Sequence, residues 1–404
     1  MEGVRYMNWS RFSFDFRLQL PGMMPVLVRI EGRKEAAMSL LLPSEWKEQL
    51  DVLNRIRTVH GSTALEGNPL SESQIAEFLG GKAGLDPEGR EFRQILNADT
   101  AQNWVRERFG PRRPPLRVRD ILHMHEVMTR LSDEADNVPG GLRTHGVQVG
   151  TMELGGIHLG APHEDLPRLM HEFVEFVNSR GLRSQHPVVR ALLAHFFLVT
   201  IHPFGDGNGR VSRLVEAAIL YEGGYNVNGF YGLSNYFYRN GNEYKRRLQE
   251  CRRTQPFDLA PFVEFGLRGF EAELRGINSF IKTKLNRLVY RDTLTRALGV
   301  RVSERRHLLN PREFALLDYL LADTEPTDPF SDSASTQIRL ADLVKSPYVR
   351  GAYRDVTPRT FIREISRLAE LGFITLQDDP DSGHQLVSID FGAIEIDFDE
   401  VASY

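Results

Sequence analysis

Cysteine is nearly absent from this chain: Cys251 is the single one in 404 residues. An internal disulfide is therefore excluded, and a reducing compartment is expected. The lone thiol, at the end of a helix-like run, reads as inert. Long apolar runs are missing too, so no segment reads as a membrane span. The N-terminus lacks the pattern of a secretory leader, and the expected location is the cytoplasm. Neither sign of charge dominates: 50 Lys and Arg face 54 Asp and Glu, a formal net charge of -4. That balance removes the global electrostatic argument for nucleic acid. No internal repeat is found. What remains is 41% hydrophobic and 26% charged, a globular composition with length for two or three domains.

Against this plain background stands the stretch His202 to Arg213, HPFGDGNGRVSR. Apolar runs at helical spacing flank it, RALLAHFFLVTI before and SRLVEAAILYEGG after, so it reads as helix, tight loop, helix. Gly205, Gly207 and Gly209 let the backbone turn sharply and aim N–H groups inward, where the next helix begins with its positive dipole end. Arg210 and Arg213 add charge-assisted donors for outer phosphates. Asp206 offers a hard oxygen for magnesium. His202 sits where a base can take a proton from a hydroxyl. It is not a P-loop, because no Gly-Lys-Ser/Thr follows, nor a dinucleotide fingerprint, because a helix precedes it.

The run His202-Pro203-Phe204-Gly205-Asp206-Gly207-Asn208-Gly209-Arg210, with Arg213 after it, resembles the full signature of the Fic family. The wider resemblance covers roughly residues 62 to 244. It implies a Fic-type helical bundle, mostly α, and transfer of a nucleotide monophosphate, usually AMP from ATP, to a Ser, Thr or Tyr hydroxyl of a protein. His202 would be the base. Gly205, Asp206, Gly207, Asn208, Gly209, Arg210 and Arg213 would bind the nucleotide, with Mg2+ on Asp206 and with Asn208 and the loop amides on the α-phosphate.

Ser62, Glu66 and Gly67 read by chemistry as a helix end, Gly67 and Asn68 suiting a C-terminal cap before Pro69. By resemblance they fit the family's inhibitory motif, in which the Glu pairs with the second motif arginine, here Arg213. That pairing would leave the triphosphate misaligned. The expected subclass has its inhibitory helix in front of the signature. Between Pro139 and Pro162 the pattern alternates, with Val147, Gln148, Val149 and Gly150, then Ile157 and His158, forming a β-hairpin. In Fic relatives this flap lies over the site and aligns a target segment through main-chain bonds. His158 and His163 are expected either at the site or at the surface. Tyr238 and Tyr244 are either core aromatics or, by resemblance, part of an adenine pocket.

Elsewhere, residues 1–42 read as a short strand pair or an extended arm. Helices are expected over 41–58, 70–83, 91–109, 116–131, 163–177 and 257–285. His123 and His125 read as core or helix-face residues, not metal ligands. From about residue 310 three helices (311–321, 338–344 and 357–371, the first and last opened by Pro-Arg capping signals) and two strands (373–377 and 385–391) resemble a winged helix, with Arg359, Arg363 and Arg367 on one helix face. The acidic tail IEIDFDE argues against phosphate attraction there, leaving protein contact or dimerisation beside DNA as its use. The expected division is 1–110, an N-terminal region with the inhibitory helix; 111–285, the catalytic core; and 286–404, the winged-helix-like α+β domain. Expected partners are a target protein's hydroxyl and a second copy of the chain, with DNA the weaker candidate. Two other activities stay open: removal of AMP or transfer of another nucleotide, and a DNA-binding regulator whose core senses nucleotide.

Overall fold

A helix that is apolar all round can only be a core helix, and Pro187–Ile201 is one: every residue from Val188 to Ile201 is buried. Pro187 in its first turn and His186, whose Nδ1 accepts from the Val188 amide, start it. The computed structural model describes residues 8–81, 89–131, 136–225, 232–303, 306–326, 337–379 and 383–396. The fold is mostly α-helical. It divides into two units, Met1–Arg275 and Gly276–Tyr404, the division falling inside the helix Ala260–Gly299.

In the first unit Pro187–Ile201 packs along Asn208–Glu222, with Arg90–Arg108, Val118–Met128 and Leu166–Asn178 around the pair. Phe173, Phe196, Phe197 and Phe204 are fully buried between them, each stabilising by about 1.5–3 kcal/mol. Cys251 is buried in the same unit, and burial pushes its thiol up to about 12. No helix among the described residues is long and apolar enough to cross a membrane.

The N-terminal stretch departs from the sequence reading. Among its described residues only Phe16–Arg17 forms a strand, paired in parallel with Phe257–Asp258. The segment MPVLVRI, whose β-branched residues read as a strand, opens the helix Met24–Ser39. A proline in the first turn starts it, and Leu27, Ile30 and Ala37 bury one helical face; packing overrides propensity.

The helix expected over 41–58 spans Ser44–Ala64. It runs on because Gly61 lies against the backbone of Asn235, which a Cβ would meet at 2.7 Å. Past its end Leu65, Glu66 and Gly67 make a turn, with Gly67 at φ +95 and the Asn68 amide donating back to Thr63 O. Asn68 then ties the turn to the helix Arg90–Arg108 through Glu91 O and Gln94. The flap hairpin pairs Gln148–Val149 with His158–Leu159, so its second strand starts one residue later than expected.

In the second unit the segment expected as a helix over 338–344 is a strand, Gln337–Arg339, followed by the helix Leu340–Lys345. That strand completes a three-stranded antiparallel sheet with Gln385–Ile389 in the centre and Ile374–Asp378 on its other side. The helices Pro311–Asp323 and Pro358–Glu370 lie as the capping signals predict. Leu316, Leu317, Leu320, Phe361, Ile365, Leu368 and Phe373 form its core.

Candidate active site

The core helix ends at His202, whose backbone is left-handed (φ 55, ψ 61), an uncommon and strained state for a residue with a Cβ. Three contacts hold it there. The Arg143 amide donates to Pro203 O, Arg143 Nε to His202 O at 2.7 Å, and Arg143 Nη2 to Ala161 O. This guanidinium thus satisfies the carbonyl left over at the helix C-cap, His202 O, places positive charge at that helix's negative end, and ties in Ala161 O as well.

The loop then closes on itself. Asn208 accepts from the Phe204 amide at 2.9 Å and donates to Phe204 O at 2.8 Å. Its side chain is 3% exposed, so here it braces the loop, where the resemblance gave it to the α-phosphate. Asn137 Oδ1 accepts from the Asp206 amide. His125 stacks on Phe204 with centroids 3.8 Å apart. Its Nδ1 accepts from the Gly140 amide, so Nε2 carries the proton and faces Asp206 O at 3.1 Å and Asn137 Oδ1 at 3.2 Å. Burial lowers its pKa to about 4, so it is a neutral brace. The next helix starts at Asn208, capped by Gly207 (φ 78) with no side chain to satisfy the first amides. Those amides stay available to an anion.

His202 Nδ1 lies 3.3 Å from Val199 O. A carbonyl accepts only, so Nδ1 holds the proton and Nε2 offers its lone pair. Its pKa is lowered to about 4, chiefly by burial; Arg252 and Arg143 lower it further, and the Val199 bond and Glu66 oppose them. The ring is a neutral base across the ordinary pH range.

Arg210 and Arg213 are 4% exposed. Arg210 Nη2 bonds Asp206 Oδ2 at 2.5 Å, while its Nε is buried without a partner among the described residues. Arg213 donates through Nε to Ser62 Oγ at 3.1 Å, and through Nη2 to Ser62 O at 2.9 Å and Glu66 Oε1 at 2.7 Å. Its Nη1 is buried and unpaired. A Cβ on Gly209 would collide with Glu66 Oε1, so the third motif glycine makes room for the carboxylate. Burial pushes the Glu66 carboxyl up, but Arg213 beside it and Arg210 beyond outweigh that and hold it below the usual range.

Glu66, His202 and Gly209 line a cavity of about 300 Å3 with Leu65, Val149, Gly150, Leu154, Tyr244 and Leu248. Tyr244 is fixed from behind: its hydroxyl donates to His195 Nε2 at 2.9 Å, and His195 Nδ1 donates to Glu216 Oε2 at 2.9 Å. Tyr238 is not among the lining residues; its ring is 40% exposed, edge-on to His60. His158 is neither at the surface nor a liner. It is 3% exposed and donates through Nε2 to Thr200 O at 2.8 Å, pinning the flap to the core helix. His163 stays near the surface beside Glu164. In the second unit Arg359 and Arg363 are exposed, and Arg367, which lines a cavity with Arg363, is bound by Glu313 and Leu308 O.

The sequence reading missed Asn137, Arg143, His195, Glu216, Gln249 and Arg252 as parts of this site. They reach it through tertiary contacts, and no local spacing marks them.

Residues 115–220 match the model of the Fic/DOC family. The chain is 30% identical over 199 residues to the protein adenylyltransferase Fic of Aedes aegypti, which is 49% of this chain and 38% of that one. To the protein of the same name from Drosophila willistoni it is 34% identical over 169 residues, 41% of this chain and 32% of that one. It thus spans well under half the length of these relatives. Among solved structures, a Fic family protein from Desulfovibrio desulfuricans superposes with a TM-score of 0.56 at 21% identity, over 94% of this chain and 98% of that one. Fic-1 from C. elegans superposes with a TM-score of 0.53 at 24% identity, over 66% and 74%. The bundle, the glycine loop and the family match together identify residues 115–220 of this chain as a Fic domain.

Proposed function

We propose that this chain transfers AMP from ATP to a serine, threonine or tyrosine hydroxyl of a target protein, and that Glu66 restrains it from within. One observation carries the reading: among the described residues two buried arginines keep unpaired donors, Arg210 Nε and Arg213 Nη1, beside a start of the helix Asn208–Glu222 that no described side chain caps. Buried donors without partners are costly, and a polyphosphate satisfies both. The relatives' name, protein adenylyltransferase, favours the same chemistry.

In this reading Gly207 to Arg210 cradle the phosphates nearest the reacting bond, and Arg210 and Arg213 grip the outer ones. Tyr244 and Leu248 flank the base. The target hydroxyl gives its proton to His202 Nε2 as its oxygen bonds the α-phosphorus. The bond from that phosphorus to the bridging oxygen breaks, and pyrophosphate leaves. The Asp206 side chain is 36% exposed, and a single carboxylate joined by substrate oxygens is a donor set that suits magnesium. Held by Asp206 and the phosphates, the ion would supply charge to the leaving group. Glu66 occupies the Arg213 guanidinium that the outer phosphate requires, so ATP binds out of line.

The test is incubation of purified Glu66→Gly protein with ATP labelled on the α-phosphate. Label should appear on protein, require His202, and exceed that of the unaltered chain. No His202-dependent label in the released protein overturns the reading. UTP, GTP and CTP in place of ATP test the nucleotide.

A further inference from the structure

We propose that Gln249 and Arg252 form a strut that sets the height of the flap above His202, and so act as positioning residues for the transfer; this rests on the reading above. Gln249 is 7% exposed, on the helix Gly241–Cys251. Its Nε2 has two hydrogens, and both go to the flap: one to Val149 O at 3.3 Å, the other to Gly156 O at 2.9 Å. Its Oε1 accepts from Arg252 Nη1 at 3.2 Å. Arg252 continues the line, donating through Nη2 to Val199 O at 3.3 Å and through Nε to Thr200 Oγ1 at 3.1 Å. Val199 O is the same carbonyl that accepts from His202 Nδ1. An unbroken chain of hydrogen bonds therefore runs from the first flap strand, and from the turn before the second, to the group that fixes the base's tautomer.

The flap's sequence fits this strut. Gly150 (φ 95) and Gly155 (φ 102) both lie against Gln249, and a Cβ on Gly150 would collide with its Nε2 and crowd Gly156 O. The guanidinium is also unusual. Its bonds go to uncharged acceptors, burial lowers its pKa to about 10, and it lines the cavity with His202, Val149 and Gln249. A charge kept at such a place without a carboxylate needs a reason beyond stability. Here it caps the end of the helix that bears the base, at the dipole's negative end. The base of the flap is held separately, by His158 on Thr200 O and Arg143 on Ala161 O. The strut governs its far part, Val149 to Gly156, which roofs the cavity.

The test uses Gln249→Glu and Arg252→Gln in the full chain. Gln249→Glu keeps the side chain's length and its acceptor for Arg252 but removes both donors to the flap. Amide hydrogen exchange of residues 148–156, without nucleotide, should quicken at least roughly tenfold, as losing one or two hydrogen bonds implies. Arg252→Gln should quicken the same amides by a similar factor and move the NMR titration of the His202 ring upward. Arg143, Glu66 and His158 also face that ring and are unchanged in the comparison. The double variant should exchange no faster than either single one, because the two residues are links of one chain. Unchanged flap exchange in Gln249→Glu, or additive effects in the double variant, overturns the strut. Should Arg252→Gln fail to fold, Gln249→Glu decides alone. On a Glu66→Gly background, each variant should lower labelling of protein from ATP while ATP affinity falls less. A background that takes no label sinks the transferase reading and leaves the exchange result standing.

Discussion

Buried arginine–carboxylate pairs occur in both units, and they differ in how completely they are closed. In the second unit Arg367 Nη1 reaches both oxygens of Glu313, at 2.5 and 2.6 Å, while its Nη2 takes Leu308 O. Glu364 holds Arg312 through Nε and Nη2 and also accepts from Tyr353. The acids are 1% and 6% exposed. In the first unit Glu66 meets Arg213 through one oxygen, its side chain is 40% exposed, and the arginine keeps an unpaired Nη1. A closed pair is part of the fold. An open pair, with its acid's side chain part-exposed and one donor of its cation unpaired among the described residues, has the chemistry of a seat for another anion.

The comparison breaks most severely on the chemistry. On the Glu66→Gly background, His202→Ala should cut labelling of protein from ATP by about 10²–10⁴-fold, the usual worth of a positioned base. Glu313→Gln should leave that labelling unchanged per folded molecule. A label that survives loss of His202 would detach the open pair from any reaction.

Stability should show the reverse order. Removing the carboxylate of Glu313 strands a partly buried Arg367 and should cost about 3–5 kcal/mol, read from denaturant unfolding. Glu66→Gln should cost less, because the Glu66 side chain is 40% exposed and Arg213 keeps its two bonds to Ser62 when the charge is gone. Comparable losses at both sites would mean that Glu66 is a structural acid after all.

That asymmetry also decides what the sequence could disclose. The glycine loop was legible because its chemistry is local: Gly207, Asn208, Gly209 and Arg210 are adjacent, and the helices on either side are marked by apolar spacing. Glu66 was legible only by resemblance, since from its own residues it reads as a surface acid past a helix end, which it also is. Arg143 and Gln249 were not legible. Arg143 meets His202 O across 59 residues and Gln249 meets Val149 O across 100, distances at which no periodicity speaks. Met24–Ser39 was misread because VLVRI has strand propensity and the burial that overrides it is tertiary. That Glu313 takes Arg367 was not legible, because helical spacing gives a side chain's direction but not the carboxylate it meets.

A smaller effect concerns pH. His202 is held near 4, so its neutral form persists well below the ordinary histidine range. Labelling by Glu66→Gly protein should stay level from pH 8 down to about 5 and fall below that. The folded state takes up this proton later than the unfolded chain, so stability from the neutral ring is complete above about 6.5 and is lost as pH falls toward 4. Glu66 is lowered from its usual value, so its stability contribution is present above about 4.5 and is lost only as pH drops through its folded value. Restraint of the unaltered chain should therefore not ease between pH 8 and 5. Rate measurements on both proteins across that window check it, and a rise in labelling by the unaltered chain near pH 6 would contradict it.

The finest test compares two glycines that end helices in the same way. Gly67 (φ 95) follows Ser44–Ala64, Gly372 (φ 76) follows Pro358–Glu370, and a Cβ at either would meet nothing within 4 Å. Alanine at each should therefore cost only backbone strain, about 1 kcal/mol, seen as similar shifts in unfolding. Their consequences should part at the site. The strain at Gly67 falls on the turn in which Glu66 N donates to Thr63 O and Gly67 N to Ala64 O, so it loosens the seat of the open pair and should raise labelling from ATP a few-fold. Gly372→Ala should leave labelling as it was. Equal labelling from both would mean that the turn after residue 64 does not control where Glu66 points, and that the carboxylate is held by Arg213 alone.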